Sequence, residues 1–135
     1  MTILEIPATY KTPYILLDLN KGKFEIKGRS IPENSKDFYK PIIDILIKYH
    51  SINNIKSFTV IFDLEYFNSS SAKLFSDFFK LLKSFTETKT QILWYYSDDD
   101  EDSKEIGEDF KYTFKNYSYI DFEIKIKPDN LNSIL

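Results

Sequence analysis

The sequence predicts a single α/β domain over residues 1–135, built on one mixed β-sheet of about five strands in the order ββαβαβαβ, with helices packed mainly on one face. Three observations point there. Short strand-like apolar runs alternate with longer segments of helical spacing, the pattern of βαβ crossovers. Asn20-Lys21-Gly22 is a turn signal between the first two runs, which makes them an antiparallel hairpin and the sheet mixed. A chain of 135 residues that is 42% hydrophobic and 17% aromatic can fill one core, and no Ser-, Gly- or Pro-rich linker divides it.

The elements follow in order. Tyr14 to Leu19 and Lys23 to Gly28 form the hairpin; in the second run Phe24 and Ile26 alternate with charges, so one face should be wet. After Pro32-Glu33-Asn34-Ser35, the residues Phe38, Ile42, Ile45, Leu46 and Tyr49 recur at helical spacing, and Asn34 or Ser35 supplies an N-cap. Pro41 removes a backbone bond, which predicts a regular helix beginning near Lys40 after an irregular turn. Ser57 to Phe67 places Phe58, Val60, Phe62 and Leu64 on one side and Ile61 on the other, the pattern of a central strand covered on much of both faces. Leu74, Phe78, Leu81, Leu82 and Phe85 define a second amphipathic helix. Gln91 to Ser97 reads as an aromatic strand, Asp102 to Lys115 as a helix with Ile106 and Phe110 inward, and Tyr119 to Lys125 as the last strand.

Composition excludes several classes of function. With no cysteine there is no disulfide framework, thiolate metal site or cysteine nucleophile, and one histidine, His50, excludes a His-rich metal centre. His50 falls near the end of the first helix, where a partly protonated ring suits the helix dipole, and it has no nucleophile and acidic partner in recognisable spacing. The net charge of −3, with Arg29 the only arginine and the lysines dispersed, speaks against nucleic acid. No glycine-rich phosphate loop is present, so no nucleotide cofactor is expected. No apolar run approaches the length of a membrane span and the N-terminus lacks a signal pattern, which predicts a cytoplasmic protein without membrane contact.

Two polar clusters remain. Asn68-Ser69-Ser70-Ser71 stands where the central strand ends and the second helix begins, the carboxyl end of a strand in an α/β sheet. Capping of the helix explains these residue types; so does phosphorylation of one hydroxyl, since a phosphate at a helix N-terminus meets free N–H donors and the positive end of the dipole. The run Asp98-Asp99-Asp100-Glu101-Asp102 suits the start of the third helix. Its alternative is a small-molecule or metal-binding sensor or enzyme that uses this run with nearby Tyr95, although the ligand alternation and glycine of a calcium loop are missing.

Phe62-Asp63-Leu64 followed by Asn68-Ser69-Ser70 resembles the anti-sigma-factor antagonist, or STAS, proteins, whose fold has the same element order. The chain is more similar still to the SiaC family of bacterial regulatory phosphoproteins, which are STAS-like. The shared blocks are Pro32-Glu33-Asn34-Ser35, Tyr66-Phe67-Asn68-Ser69-Ser70-Ser71-Ala72-Lys73, Trp94-Tyr95-Tyr96 with the acidic run, and Gly107-Glu108-Asp109-Phe110. The resemblance implies a non-enzymatic switch in cyclic di-GMP signalling and biofilm behaviour. It would be phosphorylated by a SiaB-type kinase, dephosphorylated by a PP2C-like phosphatase of the SiaA type, and bound in its unphosphorylated form to a diguanylate cyclase. The family's acceptor is commonly a threonine; the matching position is Ser69, with Ser70 the alternative. Lys73 lies close enough in sequence to screen the phosphate. Pro32, Glu33 and Asn34, with Asn68, Ser70, Ser71 and Lys73, complete the expected partner surface.

Overall fold

In the computed structural model, which describes residues 3–128, nine elements succeed one another. They are β1 (Ile3–Ile6), β2 (Tyr14–Asp18), β3 (Lys23–Ser30), α1 (Ser35–Asn53), β4 (Ser57–Phe67), α2 (Ser69–Ser84), β5 (Lys89–Tyr96), α3 (Glu101–Tyr112) and β6 (Ile120–Ile126). The strands form one sheet in chain order, antiparallel from β1 to β3 and parallel from β3 to β6. The sheet is mixed as expected, but among the described residues it has six strands and not five. The additional strand is β1, whose four residues are too few to show a period and are held by pairing with β2 from Ile3↔Asp18 to Ile6↔Ile15.

The hairpin turns at Gly22, in the left-handed region at φ 62°. A Cβ there would stand 2.2 Å from the Ser57 carbonyl oxygen, so only glycine lets the turn sit against the start of β4. Its carbonyl oxygen accepts from the Thr59 N–H at 2.8 Å, tying hairpin to crossover.

All three helices pack on one face of the sheet. Phe62 of β4 is the centre of that layer, with ring centroids 5.0 Å from Phe75 and 5.3 Å from both Phe79 and Trp94. Tyr39 of α1 meets Phe75, and Phe110 of α3 meets Trp94 and Phe79. The close seat of α3 depends on Gly107, where a Cβ would lie 2.5 Å from the Trp94 ring, while Trp94 Nε1 donates to the Ser103 carbonyl at 3.0 Å. The opposite face carries no helix among the described residues. Ile61, expected under a second layer, is half-buried on this open face, with Glu25 and Leu93 as its cross-strand neighbours.

Helix α1 runs unbroken from Ser35 through Pro41, contrary to the expected start near Lys40. Asn34 caps it by accepting the Asp37 N–H at 3.1 Å. The bond that Pro41 cannot donate would have gone to the Asp37 carbonyl; both residues are exposed, so that carbonyl is open to solvent, while Tyr39, Ile42 and Leu46 hold the buried face.

His50 does not serve as a charged partner of the helix end. Its ring stacks on Phe85 at 3.8 Å, and its Nδ1 accepts the Ile55 N–H at 3.2 Å, which requires an unprotonated nitrogen. Partial burial holds its pKa below the ordinary 6.5. The stabilisation is therefore complete above that value and declines as pH falls through it toward the lowered folded pKa. Urea melts at stepped pH should show stability falling as the pH drops below the ordinary 6.5, and His50→Gln should flatten that slope. An equal slope in the variant would assign the effect to another group.

Candidate functional site

The parallel strands β3 and β4 end side by side, with Ser30 opposite Phe67, and the helices that follow them start there together. The Asn68 N–H donates to the Ser30 carbonyl at 3.1 Å, which fixes the β4–α2 junction to the end of β3. Asn68 is the N-cap of α2: its Oδ1 accepts the Ser71 N–H at 2.9 Å and the Ser70 hydroxyl at 3.1 Å.

This geometry separates the three serines. Ser71 is fully buried at 0% exposure and donates its hydroxyl to the Ser30 carbonyl at 2.9 Å. Ser70 is exposed, yet its hydroxyl lies between Asn68 and the Ser35 hydroxyl, 2.8 Å away on α1. Ser69, the first residue of α2, is exposed and its hydroxyl has no partner among the described residues. Free N–H groups of the first helical turn and the positive dipole end surround that position.

Beneath the surface the hydroxyls form a chain. Since the Ser71 proton goes to the Ser30 carbonyl, the Ser30 Oγ, 2.8 Å away, donates to Ser71, and the Tyr39 hydroxyl at 2.5 Å donates to Ser30. Burial pushes the Tyr39 phenol well above its ordinary value, so it remains a neutral donor. By the same count Ser35 donates to Ser70, whose proton goes to Asn68. A second, longer approach of 3.4 Å joins Ser35 to Ser71. Together these bonds fasten the N-termini of α1 and α2 to each other and to the end of β3.

The structure thus brings Asn34, Ser35, Asn68, Ser69, Ser70 and Ser71 to one sheet end. Glu33, Asn34 and Lys73 are exposed there, with Lys73 one helical turn beyond Ser69. Pro32 and Ser71 are buried and shape the backbone without offering side-chain surface to a partner.

The acidic run is distributed differently. Asp100 caps α3 by accepting the Ser103 N–H at 3.0 Å, Glu101 and Asp102 occupy its first turn, and Asp98 and Asp99 are exposed before it. Tyr95 faces the helix-free side of the sheet, in a shallow cavity of about 550 Å³ with Asp63, Lys127, Lys27, Glu25 and Ile61. No residue of the acidic run lines that cavity, and among the described residues no group of three or more carboxylates or imidazoles is placed to hold a metal ion. Nor is any helix among them long and apolar enough to cross a membrane.

Sequence reading missed Ser30, Tyr39 and Arg29. The Arg29 guanidinium lies 5.1 Å from the Tyr10 ring and 5.9 Å from the Tyr66 ring, with Glu65 3.6 Å away. A bulge at Gly28/Arg29 places Arg29 opposite Tyr66 and leaves Glu65 as the extra residue. An arginine at the carboxyl end of a strand, beside Glu65-Tyr66 of the next, was the available signal.

Comparison with known proteins agrees with this fold. A family model described as "SiaC family regulatory phosphoprotein" matches residues 6–126. An uncharacterized protein of Pseudomonas aeruginosa (strain UCBPP-PA14) is 29% identical over 113 residues, covering 82% of this chain and 89% of its own. The solved structure of SiaC of Pseudomonas aeruginosa superposes with a TM-score of 0.78 at 26% identity, over 94% of this chain and 98% of that one. A chain in the crystal structure of the diguanylate cyclase SiaD in complex with its activator SiaC, also from Pseudomonas aeruginosa, gives a TM-score of 0.80 at 28% identity, over 92% and 99%.

Proposed function

The chain belongs to the SiaC family of regulatory phosphoproteins, and from that premise we propose that it is a non-enzymatic switch, phosphorylated reversibly on Ser69, that binds and activates a diguanylate cyclase when unphosphorylated. The observation that carries the reading is the position of Ser69. It is the one serine of the three whose hydroxyl is both exposed and unengaged among the described residues, at a helix start where a phosphate meets N–H donors. A kinase can reach that oxygen without breaking a hydrogen bond, whereas Ser70 must first release Asn68 and Ser35.

In this reading a SiaB-type kinase adds the phosphate and a PP2C-like phosphatase of the SiaA type removes it. The effector reads the surface formed by Glu33, Asn34, Ser69, Ser70 and Lys73, with Asn68, Pro32 and Ser71 holding its backbone. The added charge acts where the backbone is already fixed by the hydroxyl chain, so the output changes through docking and not through refolding.

Intact mass after incubation with the cognate kinase should rise by one phosphate, and fragment mapping should place it between Tyr66 and Lys73. Ser69→Ala should abolish the gain. Undiminished phosphorylation of that variant would move the acceptor to Ser70 or out of this turn.

A further inference from the structure

The two edges of the sheet are unlike. β1 is four residues long and Pro7 follows it directly, so it offers little to a further strand. β6 has seven residues, Ile120 to Ile126, and only β5 pairs with it among the described residues.

The ladder identifies which backbone groups of β6 face outward. The Tyr119 carbonyl accepts from Thr90 at 3.0 Å and the Lys127 N–H donates to Tyr96 at 2.8 Å, so odd-numbered residues turn their backbone groups to β5 and even-numbered ones turn theirs away. Among the even ones, the Ile120 N–H is taken by the Tyr117 carbonyl at 3.0 Å. Phe122, Ile124 and Ile126 remain, a set symmetric about Ile124, and Pro128 ends the pairing surface beyond it.

The side chains have the same symmetry. On the helix-free face the order is Asp121, Glu123, Lys125, Lys127. An inverted copy centred on Ile124 sets Asp121 against Lys127 and Glu123 against Lys125, each pair occurring twice. On the helix-covered face it sets Phe122 against Ile126 and Ile124 against itself; Ile126 is an apolar side chain left 52% exposed. A groove of about 900 Å³ beside the strand, lined by Lys104, Glu108 and Lys111 of α3 with Phe122 and Ile124, leaves room for the incoming side chains. Charged edges ordinarily discourage pairing. Here the two signs are so placed that an inverted copy meets opposite charge at each position, while a shift that pairs Asp121 with Glu123 would set like charges together.

We propose that β6 is a self-complementary docking edge through which a second copy of this chain pairs antiparallel, with the two-fold axis at Ile124. The contact is isologous: the same strand serves both copies and the outward groups of Phe122, Ile124 and Ile126 supply its hydrogen bonds. Lys125 lies 3.5 Å from Glu123 of its own strand and can exchange that contact for the same residue of the second copy, whereas Lys127 is held inward by Asp63 at 3.1 Å and the Leu64 carbonyl at 3.1 Å, so the two Glu123–Lys125 pairs carry the charge match. The proposal does not depend on phosphorylation of Ser69.

Sedimentation velocity of the full unphosphorylated chain at low salt, from low to high micromolar concentration, should show the mass rising from 16.0 kDa toward twice that value. Lys125→Glu should weaken the dimer about tenfold, because it places like charges opposite each other at two positions. Glu123→Lys should do the same, and the double variant should restore association. Ile124→Pro removes an N–H that β5 does not use and should leave a folded monomer, with thermal melts reporting the fold. If that variant fails to fold, the charge series decides alone. A chain monomeric throughout, a dimer indifferent to both single reversals, or a double variant as weak as the singles would overturn the proposal.

Discussion

Ser69→Asp is expected to lower affinity for the proposed diguanylate cyclase effector about a hundredfold while leaving the thermal midpoint nearly unchanged. The two effects separate because of where Ser69 stands. Its hydroxyl has no partner to lose among the described residues, and an acidic side chain in the first turn of α2 is favoured by the dipole, so the free protein is not destabilised. Docking is another matter. A carboxylate, and still more a phosphate with nearly twice the charge, must be stripped of water against the partner, at a cost of several kcal/mol where about 1.4 kcal/mol is a factor of ten. Ser69→Ala, isosteric apart from the oxygen, should keep the effector bound. Titration calorimetry with the cyclase and thermal melts on both variants measure the two quantities; equal affinities, or a collapse of stability in the aspartate variant, would defeat the docking mechanism.

Phe62→Ala should cost about 3–5 kcal/mol, the largest loss expected of any single truncation in this core. Phe62 is 1% exposed and meets rings from β3, α2 and β5: Phe24, Phe75, Phe78, Phe79 and Trp94. Because these neighbours are themselves large and hold one another, the vacated space closes poorly and the cavity adds to the lost transfer energy. For a chain of this size the midpoint should fall by roughly 10–20 °C. Phe62→Leu should retain most of the stability. A loss below about 1 kcal/mol for the alanine variant in urea melts would mean that the aromatic layer repacks around the gap.

What the sequence reveals and what it hides divide along the range of the interaction. The hairpin at Gly22, the caps Asn34 and Asn68, and the inward stripe of α2 depend on neighbours within a few residues, so residue type and spacing suffice to read them. The third helix, by contrast, starts at Glu101 on an Asp100 cap and not at Asp102, because five consecutive acidic residues do not single out the cap. β1 is invisible because four residues carry no period and its stability comes from β2. Pro41 misleads because the tertiary burial of Tyr39 and Ile42 outweighs a local penalty at an exposed position. The hydroxyl chain is hidden for the same reason: Ser30 and Ser71 stand 41 residues apart and Ser35 and Ser70 stand 35 apart, and no pattern of serines announces such a pairing. The serine cluster is legible as a helix start, whereas the separation of its members into buried, tethered and free hydroxyls exists only in three dimensions.

The strict chain-order succession of the six strands has a consequence for biosynthesis. Each strand pairs only with those nearest to it along the chain, so a growing polypeptide can add its elements one after another without reserving a slot for a later arrival. β6 comes last among the described strands, and until it leaves the ribosome the edge of the nascent sheet is β5, whose run Ile92-Leu93-Trp94-Tyr95-Tyr96 bears no charge. That is a sticky template during translation. The final strand, with Asp121, Glu123 and Lys125 alternating along it, replaces this border with a charged one, and a chain cut short before Ile120 should aggregate as it is made.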